Sequence, residues 1–190
     1  MGKIVMSEFV SLDGVIQDPD GNEGFRVGGW VGQLKDREML YAVKLGEALD
    51  TEALLLGRRS YEFFAARWQP RRGDLADRLN SLPKYVVSST LQDPDWNNST
   101  VLKSDVVNEV SKLKQEVAGD IVVYASFQLL RTLIEHDLVD ELRLMVLPVV
   151  LGTGERLFGE TSDKKPMRLV ETRSVDDDIA FLTYQPVREA

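Results

Sequence analysis

Residues 54–62 read LLLGRRSYE, and this stretch decides the fold. Its leucines complete a short apolar run, residues 53–56, that is typical of a buried β-strand, and a helical pattern follows over residues 60–66. The first turn of a helix leaves backbone N–H groups unpaired and carries a partial positive charge, to which Arg58 and Arg59 add full charges. The junction therefore predicts an anion site, and a phosphate-bearing cofactor is the first ligand to test there.

Strand and helix patterns alternate along the rest of the chain. Further strands are predicted at residues 4–12, 84–88, 100–102, 121–124, 141–151, 168–175 and 179–185. Further helices are predicted at about residues 36–49, from the N-cap Asp105 to about residue 117, and at about residues 127–135. This alternation indicates one α/β domain, residues 1–190, with a largely parallel sheet covered by helices on both faces. Because no helix separates the final strands, we expect them to form an antiparallel edge.

The composition is that of a globular protein with an acidic balance: 43% of residues are hydrophobic and 28% are charged. The net charge of -8 argues against a nucleic-acid partner, because nucleic-acid binding needs a basic surface. There is no cysteine, hence no thiolate nucleophile, and no metal site is predicted. The N-terminus lacks a signal-peptide pattern and no apolar run approaches a membrane span, so we expect a cytoplasmic protein without membrane contact.

Ligands of open α/β sheets bind beyond the carboxyl ends of the strands, and three strand ends here carry suitable side chains. They are residues 57–60 (GRRS), residues 88–90 (SST) and the pair Ala125-Ser126. Small residues, hydroxyl groups and arginines suit a diphosphate and a ribose 2′-phosphate. Each segment also has a purely structural interpretation, as a turn with solvated arginines, a cap and turn, or an N-cap. No G-x-G-x-x-G follows a strand, so the Rossmann signature is absent.

Four motifs occur in a characteristic order: SLDGVI at 11–16, LLLGRRSYEFF at 54–64, YVVSST at 85–90 and LVDELRLMVLPVVLGTGERLF at 138–158. Together they resemble the dihydrofolate-reductase-like superfamily, in particular the stand-alone form of the riboflavin-biosynthesis reductase domain. The resemblance extends from about residue 3 to residue 186. It implies a three-layer sandwich, with a mostly parallel central sheet, antiparallel C-terminal edge strands and helices on both faces.

The resemblance also implies an NADPH site, and the two adjacent arginines favour NADPH over NADH because the 2′-phosphate is well served by charge-assisted pairs. Arg58 is its expected main phosphate ligand. The implied cofactor positions are Phe9 and Ile16 beside the nicotinamide, Gly57, Arg58, Arg59 and Ser60 at the phosphates, Ser88 and Ser89 at the second wall of the 2′-phosphate site, and Ala125, Ser126, Gln128 and Leu129 beneath the diphosphate.

The substrate side of the implied site has fewer candidates. Asp13 of SLDG is expected to face the substrate pocket, and Trp30, in a Gly-rich loop, either lines this pocket or packs in the core. Folate-reducing relatives place a carboxylate on the first helix. Asp36 and Glu38 are candidates for it, and the alternative is that both are solvated first-turn acids favoured by the helix dipole.

One pair departs from the family pattern, which usually has Gly-Gly where this chain has Ala125-Ser126. An alanine resists a positive φ and adds a methyl group where the backbone and the diphosphate come close. The hydroxyl of Ser126 would offset this loss if it donated a hydrogen bond to the cofactor.

The function implied by the resemblance is NADPH-dependent reduction of a small heterocyclic or ribosyl substrate. The nearest family activity is that of 5-amino-6-(5-phosphoribosylamino)uracil reductase in riboflavin biosynthesis. Dihydrofolate or pterin reduction is the alternative within the enzyme class, and a non-catalytic nucleotide-binding or regulatory module is the alternative outside it. Oligomers are common in the family, and we expect a homodimer with the apolar strand residues 142–151 at its interface.

Overall fold

The computed structural model describes residues 1–33, 37–175 and 178–188. The strands in these ranges are β1 (Lys3–Ser11), β2 (Thr51–Gly57), β3 (Lys84–Val87), β4 (Ser99–Leu102), β5 (Asp120–Tyr124), β6 (Glu141–Leu147), β7 (Met167–Val175) and β8 (Ile179–Pro186). The helices are α1 (Arg37–Asp50), α2 (Arg58–Trp68), α3 (Asp74–Ser81), α4 (Val106–Glu116) and α5 (Phe127–Glu135), with a 3-10 turn at Trp30–Gln33. Among them, no helix is long and apolar enough to cross a bilayer.

All eight strands form one sheet in the order β4-β3-β2-β5-β1-β6-β8-β7. The first six strands in this order pair in parallel, and β8 and β7 add an antiparallel edge. The mostly parallel sheet with an antiparallel C-terminal edge is thus confirmed. Because β2, β5 and β1 are neighbours, their carboxyl ends open at the same edge of the sheet. This edge is where the three strand-end motifs were expected to meet.

The sheet is buried on both faces, which explains why its central strands are almost continuously apolar. On one face, Met6 and Leu55 pack with Leu130 in a core covered by α4 and α5. On the other face, Val5 and Leu56 belong to a core covered by α1, α2 and α3. The central sheet and the helices on its two faces are the three layers of the sandwich.

The predicted strand 141–151 is wrong at its carboxyl end, because β6 ends at Leu147. Pro148 has no N–H to donate to a sheet ladder, and the chain leaves the sheet there. The predicted dimer contact on residues 142–151 stays a prediction. Within β6, which lies between β1 and β8, Leu142 and Met145 are at most 1% exposed, whereas Val150 beyond the strand is 67% exposed.

The helix α3 was not predicted, and α2 begins two residues earlier than expected, at Arg58. The signal for α3 was present: Leu75 and Leu79 are four residues apart and both are buried, and Pro83 follows the helix end. A short helix between two longer apolar segments gives too few turns for its period to stand out.

Candidate active site

A cavity of about 690 Å³ opens at the carboxyl ends of β1, β2 and β5. This volume lies within the usual range for small-molecule sites, roughly 300–1,000 Å³. Nine of the twelve predicted cofactor positions line it: Phe9, Gly57, Arg58, Arg59, Ser60, Ala125, Ser126, Gln128 and Leu129. The parallel topology brings these residues together from three separate segments of the chain.

The junctions after β2 and β5 are joined by the hydroxyl of Ser126. Its Oγ accepts a hydrogen bond from the N–H of Gly57 at 3.0 Å and donates one to the carbonyl of Tyr124 at 2.9 Å. Gly57 is the N-cap residue of α2, and no side chain caps this helix. Apart from the N–H of Gly57, the N–H groups at the start of α2 meet no side-chain acceptor among the described residues, so they are available to an anion in the cavity.

The two adjacent arginines differ in what they contact. Arg58 is about half-exposed and donates hydrogen bonds of 2.7 Å from Nε to Glu62 and of 2.7 Å from Nη1 to the hydroxyl of Thr90. Arg59 is exposed on the cavity wall, and within the described residues it has no hydrogen bond or ion pair. Arg59 is therefore the readier of the two to meet a phosphate, whereas Arg58 must exchange its bond to Glu62.

The serines of the SST segment do not line the cavity. Ser88 is buried, and its hydroxyl accepts hydrogen bonds from the N–H groups of Thr90 at 3.2 Å and Leu91 at 2.9 Å. Ser89 is exposed on the adjoining surface. The segment thus forms the turn that was the structural alternative, and it reaches the cavity wall through the contact between Thr90 and Arg58.

The turn at Ala125-Ser126 has the backbone conformation that usually selects glycine. Ala125 has φ +52°, in the left-handed region. For an L-residue with a Cβ this conformation costs roughly 1–2 kcal/mol. The expectation that the Ser126 hydroxyl is free to donate to a cofactor is not met, because the hydroxyl donates to the carbonyl of Tyr124. It also does not cap α5, although Ser126 stands at the N-cap position.

Glu8 is a cavity residue that the sequence analysis missed. It lies in β1, it is 6% exposed, and its carboxyl group accepts hydrogen bonds from the N–H of Ala125 at 2.8 Å and of Phe9 at 3.2 Å. Burial raises the pKa of Glu8 to about 7, even though Lys44 and the two backbone N–H groups act in the opposite direction. The available signal was a single acid inside the apolar run IVMSEFV, in a strand expected to be buried on both faces.

Lys44 of α1 also lines the cavity. Its Nζ donates to the hydroxyl of Ser7 at 2.7 Å and to Glu47 at 3.2 Å, and it lies 5.1 Å and 5.0 Å from the ring centroids of Phe9 and Tyr124. Cation–π contacts of this kind hold the ammonium group against the rings. No local pattern singles out this lysine, because only Glu47 among its partners lies on α1, whereas the others come from β1 and β5.

Glu47 completes this buried polar group. The carboxylate accepts hydrogen bonds from Ser7 and from the hydroxyl of Tyr124, each at 2.9 Å. Burial opposes its charge, but Lys44 and these hydrogen bonds hold the pKa of Glu47 below its ordinary value. The pKa of Tyr124 is raised well above its ordinary value by burial and by Glu47, so the phenol stays neutral and donates.

Asp13 does not face the cavity, which corrects the expectation of a substrate contact. Its carboxylate accepts hydrogen bonds from the hydroxyl of Ser11 at 2.7 Å and from the N–H groups of Leu151 at 3.1 Å and Gly152 at 2.8 Å. These hydrogen bonds, that of Ser11 foremost, lower the pKa of Asp13 to about 2. Asp13 therefore fixes the loop that follows β6.

Two further predicted site residues lie in the core and not on the cavity wall. Trp30 is 2% exposed, packs in a cluster with Met145 and Phe181, and donates from Nε1 to the carbonyl of Gln17 at 2.9 Å. The packing alternative for Trp30 is therefore the one the structure shows. Ile16 is 6% exposed and belongs to the core beneath α4 and α5, which corrects its assignment to the nicotinamide.

Of the two candidate acids near the start of α1, Glu38 is not in the cavity wall. Glu38 is exposed in the first turn of α1, where a carboxylate complements the helix dipole. Asp36 lies outside the described residues. A carboxyl group at the cavity is supplied instead by Glu8.

The loop after β1 approaches α2 at the cavity. Asp18 is 3% exposed and accepts hydrogen bonds of 3.0 Å from the N–H groups of Glu23 and Phe25, which fixes the path of this loop. Asp20 forms an ion pair of 2.5 Å with Arg67 of α2. This contact joins the two sides of the cavity wall, and no local sequence pattern predicts it.

The mostly parallel sheet with its antiparallel C-terminal edge has a dihydrofolate-reductase-like fold. Dihydrofolate reductase from Enterococcus faecalis, solved in complex with NADP(H), superposes with a TM-score of 0.61 at 16% identity, over 97% of this chain and 96% of its own. Within this class, the chain belongs to the RibD C-terminal domain family, whose model matches residues 2–181.

Individual relatives agree with this assignment over almost their whole length. The uncharacterized protein YyaP of Bacillus subtilis is 30% identical over 188 residues, which are 96% of this chain and 94% of YyaP. A protein from Shewanella sp. PV-4 that is provisionally assigned to riboflavin biosynthesis superposes with a TM-score of 0.77 at 19% identity, over 98% of this chain and 99% of its own. The family model and YyaP thus assign the chain to the RibD C-terminal domain family, and the solved structures share its fold.

Proposed function

We propose that this protein is an NADPH-dependent reductase that transfers a hydride to a small heterocyclic or ribosyl substrate. One observation carries the proposal: nine predicted cofactor positions from three segments line a single cavity, with Arg58 and Arg59 at the uncapped N-terminus of α2. The two arginines and the free N–H groups of α2 match the charges of a diphosphate and a 2′-phosphate.

The residues that line the cavity fit the proposed cofactor, and different residues would bind its phosphates and its nicotinamide. Gly57 keeps the helix start free of a side chain, Arg58 and Arg59 bind phosphate, and Phe9 offers an apolar ring to the nicotinamide. When bound, the nicotinamide supplies the hydride, and the protein contributes orientation and the exclusion of water. The turn at Ala125 brings the start of α5 to the same side of the cavity.

The substrate we propose first is the ribosylaminopyrimidine that 5-amino-6-(5-phosphoribosylamino)uracil reductases reduce, and the second is a dihydropterin or dihydrofolate. Membership of the RibD C-terminal domain family supports the first, and the fold shared with dihydrofolate reductase supports the second. NADPH oxidation, followed by the loss of its absorbance with each compound in turn, tests both. Turnover of only one of them assigns the substrate class.

A binding module without turnover is the second candidate. It is favoured by the turn at Ala125-Ser126, because the N–H of Ala125 and the hydroxyl of Ser126 already bond to protein groups. Saturable binding of NADPH, with no oxidation in the presence of ribosylaminopyrimidines and pterins, would favour this candidate over the reductase.

We also propose that the protein acts as a cytoplasmic homodimer on a small molecule. Since β6 is interior, the edge strand β7 is the better candidate for the contact between copies. Leu169 and Val170 on this strand are 48% and 49% exposed. Light scattering during size-exclusion chromatography measures the oligomeric mass, and a monomer at all concentrations would contradict the dimer.

A further inference from the structure

We propose that Glu8 is the proton donor of the reaction and that Lys44 positions the acceptor, so that the substrate is reduced at a C=N or C=O bond. This inference rests on the proposed reductase function and deepens it. Both side chains line the cavity, and both contact Phe9, the residue expected to flank the nicotinamide: Glu8 accepts its backbone N–H at 3.2 Å, and the Lys44 ammonium lies 5.1 Å from its ring centroid. They come from different elements, β1 and α1, which the fold brings together at the cavity.

Glu8 is held in a fixed position on a central strand. One carboxyl oxygen accepts the N–H of Phe9 and the other accepts the N–H of Ala125, at 3.2 Å and 2.8 Å. A protonated carboxyl group keeps an O–H donor while its remaining lone pairs accept such bonds. The group is therefore able to accept from the protein and to donate to a ligand at the same time.

The titratable groups that face Glu8 come from two elements. Lys44 and Glu47 lie on α1, and Tyr124 lies on β5. Burial is the largest influence and raises the pKa of Glu8, Lys44 lowers it, and Glu47 raises it again. The resulting value of about 7 means that a large share of the carboxyl groups carry a proton at neutral pH. A general acid works best when its pKa lies close to the operating pH.

Lys44 is suited to orient the acceptor. Its ammonium group has three N–H donors, and Ser7 and Glu47 take two of them. Among the described residues the third has no acceptor, and the ammonium lies over the rings of Phe9 and Tyr124. A carbonyl oxygen or ring nitrogen bound beside Phe9 would accept this third hydrogen bond.

The proposed step balances in atoms and electrons. The hydride, with its electron pair, passes from the reduced nicotinamide of NADPH to the carbon of the C=N or C=O bond, and a C–H bond forms. The π pair of that bond moves to the nitrogen or oxygen, which takes the proton of the Glu8 carboxyl group. NADPH is oxidised to NADP⁺, the acceptor is reduced by two electrons, and the Glu8 carboxylate regains a proton from water.

The competing explanation is that Glu8 only holds Ala125 in its left-handed conformation. Glu8→Gln tests this, because a glutamine keeps an oxygen that can accept the N–H of Ala125 but has no acidic proton. Ala125→Gly is the complementary variant, because a glycine adopts a positive φ without support. Glu38→Gln is the matched control, since Glu38 is an exposed acid of α1 that does not line the cavity.

The experiment combines three measurements on the full chain. NADPH affinity is measured by fluorescence titration for the wild type and each variant. The carboxyl carbons of uniformly ¹³C-glutamate-labelled protein are titrated by NMR with NADPH bound, and the signal lost in Glu8→Gln identifies Glu8. The rate of NADPH oxidation is measured against pH with three acceptors. They are 7,8-dihydrofolate, a ribosylaminopyrimidine, and 2-cyclohexenone, which offers a C=C bond to reduction.

We expect the Glu8 signal to titrate close to neutral pH. We expect Glu8→Gln to lower kcat by about 100-fold or more, the usual contribution of a general acid, and to abolish the pH dependence near neutrality. NADPH affinity should change little, and Lys44→Met should raise KM for the acceptor and move the pH midpoint upward. Glu38→Gln should behave as the wild type.

Several outcomes would overturn the inference. A Glu8 signal that titrates near 4.5, the ordinary value, would show that Glu8 is ionised at neutral pH and is not the proton donor. This result does not require that any acceptor is turned over. An unchanged kcat and pH profile in Glu8→Gln would leave Glu8 a purely structural role. Turnover of 2-cyclohexenone alone, with cyclohexanone and not 2-cyclohexenol as the product, would overturn the substrate class. Failure of the wild type to bind NADPH would instead reject the proposed function, which separates the two failures.

Discussion

The backbone N–H of Ala125 donates a hydrogen bond of 2.8 Å to the carboxyl group of Glu8. This contact joins the turn before α5 to the central strand β1, and it lies in the wall of the cavity. It connects two departures from simple expectation: a non-glycine residue at φ +52° and a buried acid in an apolar strand.

Replacing Ala125 by glycine should stabilise the protein by about 1 kcal/mol, because relief of the left-handed strain exceeds the entropy that glycine adds to the unfolded chain. The free energy of unfolding in urea measures the change. Ala66→Gly is the matched control: Ala66 is exposed within α2, where the same substitution should destabilise by about 1 kcal/mol. Equal destabilisation by both substitutions would show that Ala125 carries no strain.

The stability of the protein should depend on the ionisation of Glu8. Its pKa is raised from 4.5 to about 7 in the folded state, so the neutral carboxyl favours folding below 4.5 and this contribution is lost as the pH rises through about 7. The loss corresponds to roughly 3 kcal/mol between these limits. Urea unfolding of the wild type and of Glu8→Gln across this range measures it, and the variant should lack it. Parallel pH profiles for the two proteins would contradict the buried acid.

Replacing Asp13 by asparagine should destabilise the protein without weakening NADPH binding. The pKa of Asp13 is lowered from 3.8 to about 2, so its contribution is present above 3.8 and is lost as the pH falls through about 2. Thermal unfolding at neutral and acidic pH measures this, and the difference between wild type and Asp13→Asn should vanish in acid. A marked loss of NADPH affinity in this variant would restore Asp13 to the ligand site.

Within the described residues, the strands along the chain and all helices but α3 could be predicted from local patterns, as could the segments at Gly57 and Ala125 that are proposed to hold the cofactor. Gly57 and the two arginines are adjacent in sequence, so they also lie together in the folded protein. Glu8 and Lys44 could not be assigned in this way, because their partners lie on other elements and their roles depend on burial. Asp13 was misplaced and Trp30 kept two interpretations, because sequence spacing does not show which way the chain turns after β1.

Arg58 and Arg59 should both increase the affinity of the protein for NADPH more than its affinity for NADH. Since a hydrogen bond to a charged group contributes roughly 1.5–3 kcal/mol, Arg58→Ala and Arg59→Ala should each weaken NADPH about 10- to 100-fold and NADH far less. Glu62→Gln should strengthen NADPH binding slightly, by no more than about 5-fold, because it releases Arg58 from a half-exposed ion pair. Equal losses for NADPH and NADH in the arginine variants would contradict the 2′-phosphate assignment.

The central claim is that the cavity at the ends of β1, β2 and β5 binds NADPH. Fluorescence titration of the wild-type protein with NADPH, alongside NADH, tests it most directly. We expect saturable binding of NADPH with a Kd below about 100 μM, and clearly weaker binding of NADH. Absence of NADPH binding at about 100 μM would contradict it.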